Sequence, residues 1–144
     1  MRQYSFRLEQ VLKLREAHEG KAAREQASAN EEYRLNYNKY CDARDKLASA
    51  QALDKLVDPF DLMNRIFYCD SAARELSIRE TTLAKSQVKL EQCKRNLIQA
   101  MQGRSVIDKL KQKDRQNYEH ELNLIDQRET DEIANRQFIY FKSK

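Results

Sequence analysis

An apolar residue recurs at every seventh position through the middle of the chain. The series consists of Leu62, Cys69, Leu76, Leu83, Leu90 and Leu97. Seven residues make two turns of helix, so the series lies on one side of a single helix. This regularity is typical of a coiled coil and does not fit a strand, whose side chains alternate with period two. Ile66, Ala73 and Met101 each lie four positions after a member of the series and are expected to complete the buried face.

A second heptad pattern precedes this one, with core positions that alternate three and four apart. Its members are Leu8, Leu12, Ala22, Ala29, Tyr33, Tyr40, Ala43, Leu47, Ala50 and Val57. In its first half Arg15, Glu19 and Gln26 occupy core positions. Polar residues there reduce stability and specify register, so we expect looser pairing or a different partner in this part.

The only proline of the chain separates the two patterns. Pro59 disfavours a helical Asp58 and suits the first position of a new helix, for which Asp58 offers a carboxylate as N-cap. The sequence therefore predicts an all-α fold, a long antiparallel two-helix coiled coil with its hairpin turn near Asp58-Pro59. We expect a single coiled-coil domain over 1–144, with helix one at about 5–56 and helix two at about 59–140.

Composition favours a thin helical interface over a thick globular core. Of the 144 residues, 35% are charged, the mean hydropathy is -0.92, and only two glycines and one proline interrupt the strong helix formers. Gly103 has no proline beside it, so helix two is expected to continue through it, with a possible bend.

The two predicted helices differ in length. Helix one can pair only with about the first fifty residues of helix two, which leaves about thirty C-terminal residues, or ~45 Å of helix, as an overhang. Its apolar residues are Leu122, Ile125, Ile133 and the cluster from Phe138 to Phe141. An unpaired apolar stripe of this kind indicates a protein partner.

No pattern of catalytic or metal-binding residues is present. The chain has no glycine-rich phosphate loop, no CxxC and no HExxH, and His18 and His120 lie far apart among polar residues. We therefore predict no enzyme activity, no catalytic residues, no cofactor and no metal site. Cys41, Cys69 and Cys93 fall at or beside core positions, where a thiol acts as a small apolar side chain, and their number and spacing suit a reducing cytosol.

Nucleic acid and the membrane interior are not expected partners. The basic cluster from Arg104 to Arg115 includes Asp108 and Asp114 and has no aromatic platform, so a solvated helix face is favoured over a nucleic-acid site. No stretch approaches the ~20 apolar residues of a membrane span. Tyr33, Tyr37 and Tyr40 share one helical side, where they act either as bulky interface packing or as a docking patch.

Two segments resemble a known family. The opening YSFRLEQVLKLRE, from Tyr4 to Glu16, is similar to the start of the FliJ family, the soluble coiled-coil protein of the bacterial flagellar type III export apparatus. Near the C-terminus, Asp131-Glu132-Ile133-Ala134 resembles the acidic pair and apolar residues of many members. With the chain length and the turn position, the resemblance covers nearly the whole chain.

The resemblance implies a central stalk similar to that of the rotary ATP synthase. Members of the family insert their paired chain termini into a hexameric export ATPase, which they stimulate. They also link this ring to the cytoplasmic domain of the export-gate membrane protein and bind export chaperones. This implies a cytoplasmic location, peripheral to the inner membrane at the flagellar base, with no direct membrane insertion.

The resemblance also implies site residues. Contacts with the ATPase ring are expected at Phe6, Leu8, Val11, Leu12, Arg15, Ile133 and Arg136. Contacts with the export gate are expected at Gln26, Tyr33, Tyr37 and Phe67. Asn30 stands where the family has leucine, and Ser71 and Arg74 stand where it has apolar residues.

Three other interpretations are open at this point. The chain is also consistent with the equivalent stalk protein of a virulence-type injectisome, which shares the hairpin. A structural coiled coil that forms homodimers through its overhang would show a stable dimer and no effect on an ATPase. A nucleic-acid-binding rod that uses Arg104 to Arg115 would bind with an affinity that falls steeply with salt.

Overall fold

The computed structural model describes residues 4–52 and 58–142, and within them two long helices account for almost the whole chain. Helix α1 is Glu9–Gln51 and helix α2 is Pro59–Lys142. The helices pack against each other and no strand occurs in the described ranges, which confirms the predicted all-α helical hairpin. The predicted end of helix one at 56 and the core position Val57 lie outside the described residues.

The ends of the helices follow local rules. Residues 4–8 precede α1 in a non-helical segment that closes with a hydrogen bond from the Glu9 amide to the Phe6 carbonyl at 3.2 Å, so α1 begins later than predicted. At the start of α2, the Phe60 amide donates to the Asp58 carboxylate at 3.4 Å, and Pro59 occupies the first helical position. The predicted N-cap is present.

An arginine of α2 caps the end of α1. The guanidinium of Arg65 donates to the carbonyls of Ala50 at 3.2 Å and Gln51 at 3.0 Å. The last carbonyls of a helix have no partner within it, and a cation at this end also matches the helix dipole. Arg65 therefore joins the start of α2 to the last turn of α1.

The described residues cluster in two compact units, His18–Ala100 and the described parts of Met1–Ala17 with Met101–Lys144. In the first unit the helices are antiparallel, as ion pairs of Glu32 with Lys89 and of Lys46 with Glu75 show. Small residues form most of its buried interface. They are Ala22, Ala29, Ala43 and Ala50 of α1 and Ala72, Ser86 and Ala100 of α2, together with the larger Leu90.

One part of the predicted α2 interface is wrong. Ile66, Ala73 and Met101 are exposed, Ile66 by 59%. The buried or half-buried row lies three positions after the heptad series, not four. It consists of Arg65, Ala72, Arg79, Ser86, Cys93 and Ala100. A residue three or four positions on lies on nearly the same side of a helix, and the position of α1 decides which of the two is covered.

In the other compact unit, the N-terminal residues pack against the middle of α2. Phe6 and Leu12 are buried, and Ile107, Lys111 and Tyr118 of α2 are half-buried. Tyr4 bonds to Asp114 and Glu9 pairs with Lys111 at 2.7 Å, so the two segments of this unit are also antiparallel. From Glu119 to Lys142 no described residue is buried, and only Leu122 is half-buried. The predicted unpaired C-terminal part of helix two is thus present.

Helix α2 continues through Gly103, as predicted. The glycine lies under the side chain of Arg15, and a Cβ at this position would come within 3.2 Å of the Arg15 Nη1 atom. The missing side chain at Gly103 therefore makes room for a long polar side chain of α1. A close approach, and not a helix break, accounts for this glycine.

Candidate functional site

The non-helical residues before α1 are attached to α2 by a tyrosine. The single hydroxyl proton of Tyr4 is shared between the Asp114 carboxylate at 3.1 Å and the Lys111 carbonyl at 3.3 Å, and the Tyr4 ring lies 5.4 Å from that of Tyr118. Desolvation of the hydroxyl and its hydrogen bond to Asp114 raise the pKa of Tyr4. These bonds hold residues 4–8 against α2.

Lys111 is the second attachment point. Its ammonium group lies 2.7 Å from the Glu9 carboxylate and 6.0 Å from the centre of the buried Phe6 ring. A cation beside an aromatic ring and a carboxylate is attracted by both. Among the N-terminal ring-contact candidates, Phe6 is thus held against α2 by Lys111.

The predicted N-terminal ring contacts divide into covered and accessible side chains. Phe6 is 9% exposed and Leu12 is 5% exposed, so their side chains belong to the hairpin interior. Leu8 is half-buried, whereas Val11 and Arg15 are exposed. A heptad pattern shows which apolar residues share a side of the helix but not how deeply the partner helix covers them.

The predicted C-terminal contacts lie in a stretch that we call the C-terminal segment and define as residues 119–142. All of its residues except the half-buried Leu122 are exposed. Ile133 is 56% exposed, and Arg136 is exposed and pairs with Glu132 at 3.5 Å. Large apolar side chains beyond them are also exposed, namely Phe138, Ile139, Tyr140 and Phe141. An apolar helix face of this kind gains free energy when a partner covers it.

A row of three tyrosines lies on α1 in the compact unit His18–Ala100. The Tyr33 and Tyr37 rings are stacked with centroids 6.3 Å apart, and the Tyr37 and Tyr40 centroids are 6.5 Å apart. Tyr37 is exposed, while Tyr33 and Tyr40 are half-buried. Hydrogen bonding with Cys41 raises the pKa of Tyr37. The row has one covered edge and one accessible edge, so interface packing and docking are compatible at the same residues.

The other predicted gate contacts lie apart from this row. Gln26 is half-buried seven positions before Tyr33, at the core position predicted for it. Phe67 is exposed, and its neighbour Tyr68 lies beside Lys46, with the ammonium 5.9 Å from the ring centre. Lys46 is nine positions after Tyr37, ~14 Å along the helix. The structure therefore does not bring Phe67 together with the tyrosine row.

Sequence reasoning missed a polar pair at the centre of the interface. The Asn36 amide donates to the hydroxyl of the buried Ser86, which donates in turn to the Thr82 carbonyl at 3.1 Å. The signal was available, because Asn36 stands three positions after Tyr33 and four before Tyr40. A polar pair that forms in only one alignment of two helices specifies that alignment.

Many other polar side chains of the described residues form ion pairs. The basic cluster is paired at several points, with Arg104 3.3 Å from Asp108 and Arg115 3.0 Å from Glu119. Within residues 4–52 and 58–142, no group of histidine, cysteine, aspartate and glutamate side chains is arranged to hold a metal ion. In the same ranges, neither helix has a stretch long and apolar enough to span a bilayer.

The fold and the exposed face together define a class of protein, a helical hairpin whose accessible surfaces suit binding to other proteins. The family model described as Flagellar FliJ protein matches the chain over residues 4–142, so the chain belongs to the FliJ family. No curated protein and no solved structure matches the chain. As a member of this family, the protein is a structural component of the flagellar export apparatus and interacts within it.

Proposed function

We propose that this protein is the central stalk of the flagellar export ATPase. The first turns of α1 and the C-terminal segment of α2 insert into the hexameric ring and stimulate its assembly and ATP hydrolysis. Family membership supports this role. The observation that carries it is the C-terminal segment itself, a stretch of regular helix with apolar side chains and no covering element among the described residues. The flagellar family also favours the flagellar system over an injectisome.

The ring-contact candidates differ in burial, so we assign them different roles. Val11, Arg15, Ile133 and Arg136 are exposed and are the proposed contact residues. Phe6 and Leu12 are buried, so we assign them a positioning role, in which they hold the first turns of α1 against α2. Leu8, half-buried, belongs to both groups. Exposed apolar and cationic side chains contribute to binding by being desolvated against a partner.

The test measures ATP turnover and hexamer formation of the export ATPase in the presence of the purified chain. Ile133→Asp and Val11→Asp each place a charge in the proposed contact and should reduce the stimulation at least tenfold. Val88→Asp, at an exposed valine of the other compact unit, is the control. Circular dichroism should show unchanged helicity in all three, because none of the side chains is buried.

Two results would contradict the ring proposal. If the wild-type chain changes neither the ATP turnover nor the hexamer formation of the ATPase, the proposed stimulation is wrong. If both aspartate variants stimulate the ATPase as fully as wild type, the assignment of Val11 and Ile133 as contact residues is wrong. A stable dimer of the chain in light scattering, combined with no effect on the ATPase, would support the homodimeric coiled coil instead.

We further propose that the accessible edge of the tyrosine row binds the cytoplasmic domain of the export gate. Tyr37 offers an exposed ring supported by Tyr33, and Gln26 extends the same side of α1. Phe67 is a separate contact in this proposal. The rigid stacked rings lose little conformational entropy on binding, which suits an anchor.

The gate test compares Tyr37→Ala with Phe67→Ala in binding to the purified gate domain. Tyr37→Ala should weaken binding at least tenfold, because it removes the accessible ring. Tyr40→Ala, a half-buried member of the same row, serves as control for lost packing. If Tyr37→Ala binds the gate domain with unchanged affinity, the tyrosine row serves only in packing between the helices.

The proposal extends to export chaperones as partners and to the location of the assembly in the cell. Export chaperones bind the same chain, and the assembly lies in the cytoplasm at the inner-membrane face of the flagellar base. Chaperone binding predicts that chaperones co-purify with the tagged chain. An excess of untagged chain should abolish this co-purification. Fluorescent labelling of the chain should give spots at the flagellar base that disappear when the gate domain is deleted.

A further inference from the structure

The helix face that α2 turns toward α1 continues into the C-terminal segment. Eighteen residues complete five turns of an α-helix, so a residue and the one eighteen positions later point the same way. Ile125 therefore lies on the side of Ile107, Glu129 on the side of Lys111, and Leu122 on the side of Arg104. All three earlier residues are half-buried in the hairpin. The interface surface extends past the point where described residues of α1 cover it.

The continued face differs in charge from the covered one. Lys111 receives its counter-charge across the interface, from Glu9 at 2.7 Å. At the equivalent position five turns later stands Glu129, flanked by Glu121 and Asp126. Among the described residues these three carboxylates have no ion pair or side-chain hydrogen bond. Most other acidic residues of the helices do, as with Glu32, Glu75 and Glu132.

The chemistry of the partner follows from this pattern. Leu122 and Ile125 require apolar side chains opposite them. Glu129 requires a lysine or arginine in the partner, at the position that Glu9 occupies opposite Lys111. A second copy docked through the same face would bring like charges together, which is unfavourable. Nucleic acid and anionic bilayers carry the same sign of charge as the face.

We propose that the face formed by Leu122, Ile125 and Glu129, with Glu121 and Asp126 at its edges, binds a cationic apolar helix surface of a partner protein. The partner continues the coiled coil that α1 begins, with basic side chains in place of Glu9. The identification of this partner as the export ATPase rests on the proposed function, whereas its chemistry rests on the charges and the helix face alone.

The test uses the full chain and a charge-matched control. The variant Glu121→Gln/Asp126→Asn/Glu129→Gln removes the three carboxylates of the face. The control Asp42→Asn/Asp61→Asn/Glu80→Gln removes three exposed carboxylates elsewhere that also lack ion pairs among the described residues. Both change the net charge by the same amount, and none of the six side chains is buried.

Affinity for the purified export ATPase is measured at low and high salt. The wild-type chain and the control should lose about tenfold in affinity as salt screens the charges, and the face variant should bind about tenfold more weakly at low salt with a flat salt response. A face variant that binds like wild type at both salt concentrations would overturn the inference, and the proposed ring function would stand.

A second probe separates the two proposals. A synthetic amphipathic helix with leucine at its heptad core positions and lysine beside them should bind the wild-type chain and the control but not the face variant. The same peptide with glutamate in place of lysine should not bind. This result supports the inference even if the ATPase does not bind the chain. Equal binding of both peptides, or a wild-type dimer that the face variant dissociates, would overturn it.

Discussion

Between Ala72 and Ala100 the helix α2 carries a row of side chains covered by α1, whereas between Glu119 and Lys142 it has none that is buried among the described residues. In the first stretch the row consists mainly of small residues and leucine, which allow close packing of two helices. The second stretch carries several carboxylates up to Glu132 and ends in a run of large apolar side chains from Phe138 to Phe141. The two stretches share one regular helix but not one environment.

This difference separates stability from function within a single element. A covered row contributes to folding because its apolar area is removed from water. An uncovered row contributes to folding only through local helix formation, so its residues are free to serve a partner. Substitutions in the two stretches should therefore affect different measurements, which four predictions test.

The largest effect is expected for a core truncation. Leu90→Ala removes the largest of the buried side chains of α2 and should lower the free energy of unfolding by about 2–4 kcal/mol, the cost of lost burial and a cavity. Ile133→Ala in the C-terminal segment should change it by less than about 0.5 kcal/mol. Urea unfolding followed by circular dichroism measures both. Equal losses would mean that Ile133 is covered in the isolated chain.

The polar pair of the interface should show energetic coupling. A double-mutant cycle of Asn36→Ala and Ser86→Ala should give a coupling of about 1 kcal/mol, because each variant removes the same hydrogen bond. Thr81 is exposed and bonds only within its own helix, so a cycle of Asn36→Ala with Thr81→Ala should give none. A coupling near zero in the first cycle would mean that the Asn36–Ser86 pair does not help to align the two helices.

The two glycines offer a matched comparison of an open and a covered helix position. Gly20→Ala should stabilise the chain by about 0.5–1 kcal/mol, because alanine is the better helix former and nothing lies within 4 Å of the new Cβ. Gly103→Ala should gain less, since its Cβ would displace the Arg15 guanidinium. In an Arg15→Ala background the two gains should become equal. A gap that persists there would point to a cause other than Arg15.

The smallest effect concerns pH and the attachment of residues 4–8. Because the pKa of Tyr4 is raised in the folded chain, its contribution to stability is complete below pH 10 and is lost as pH rises through the folded-state pKa. The thermal stability of wild type relative to Tyr4→Phe should therefore fall above pH 10. A difference that stays constant over this pH range would contradict a stabilising role of the Tyr4 hydrogen bonds.

Much of the fold was predictable from local patterns. The capping of α2 by Asp58 and Pro59, the continuation through Gly103 and the uncovered C-terminal stretch all follow from residue types and helix lengths. The phase of the second α2 row was predicted wrongly, although a signal existed. The row four positions after the leucines includes Glu80, Gln87 and Lys94, whereas the observed row has serine and cysteine at the last two equivalent positions.

The candidate site was predictable in outline and not in detail. Apolar character marks Phe6, Val11, Leu12 and Ile133 equally, yet two of them are covered and two are accessible. The separation of Phe67 from the tyrosine row depends on how the helices align. Alignment is set by distant pairs such as Asn36 with Ser86, which neither helix contains by itself.

The sequence by itself determined the two helices, the turn that separates them and the family, because helix formation, capping and heptad spacing depend on neighbouring residues. Tertiary structure decided which row of α2 is buried, which N-terminal residues are covered, and where the interface face becomes free. These properties depend on the position of one helix against the other. That position is the sum of many weak packing and polar contacts between residues far apart in the chain.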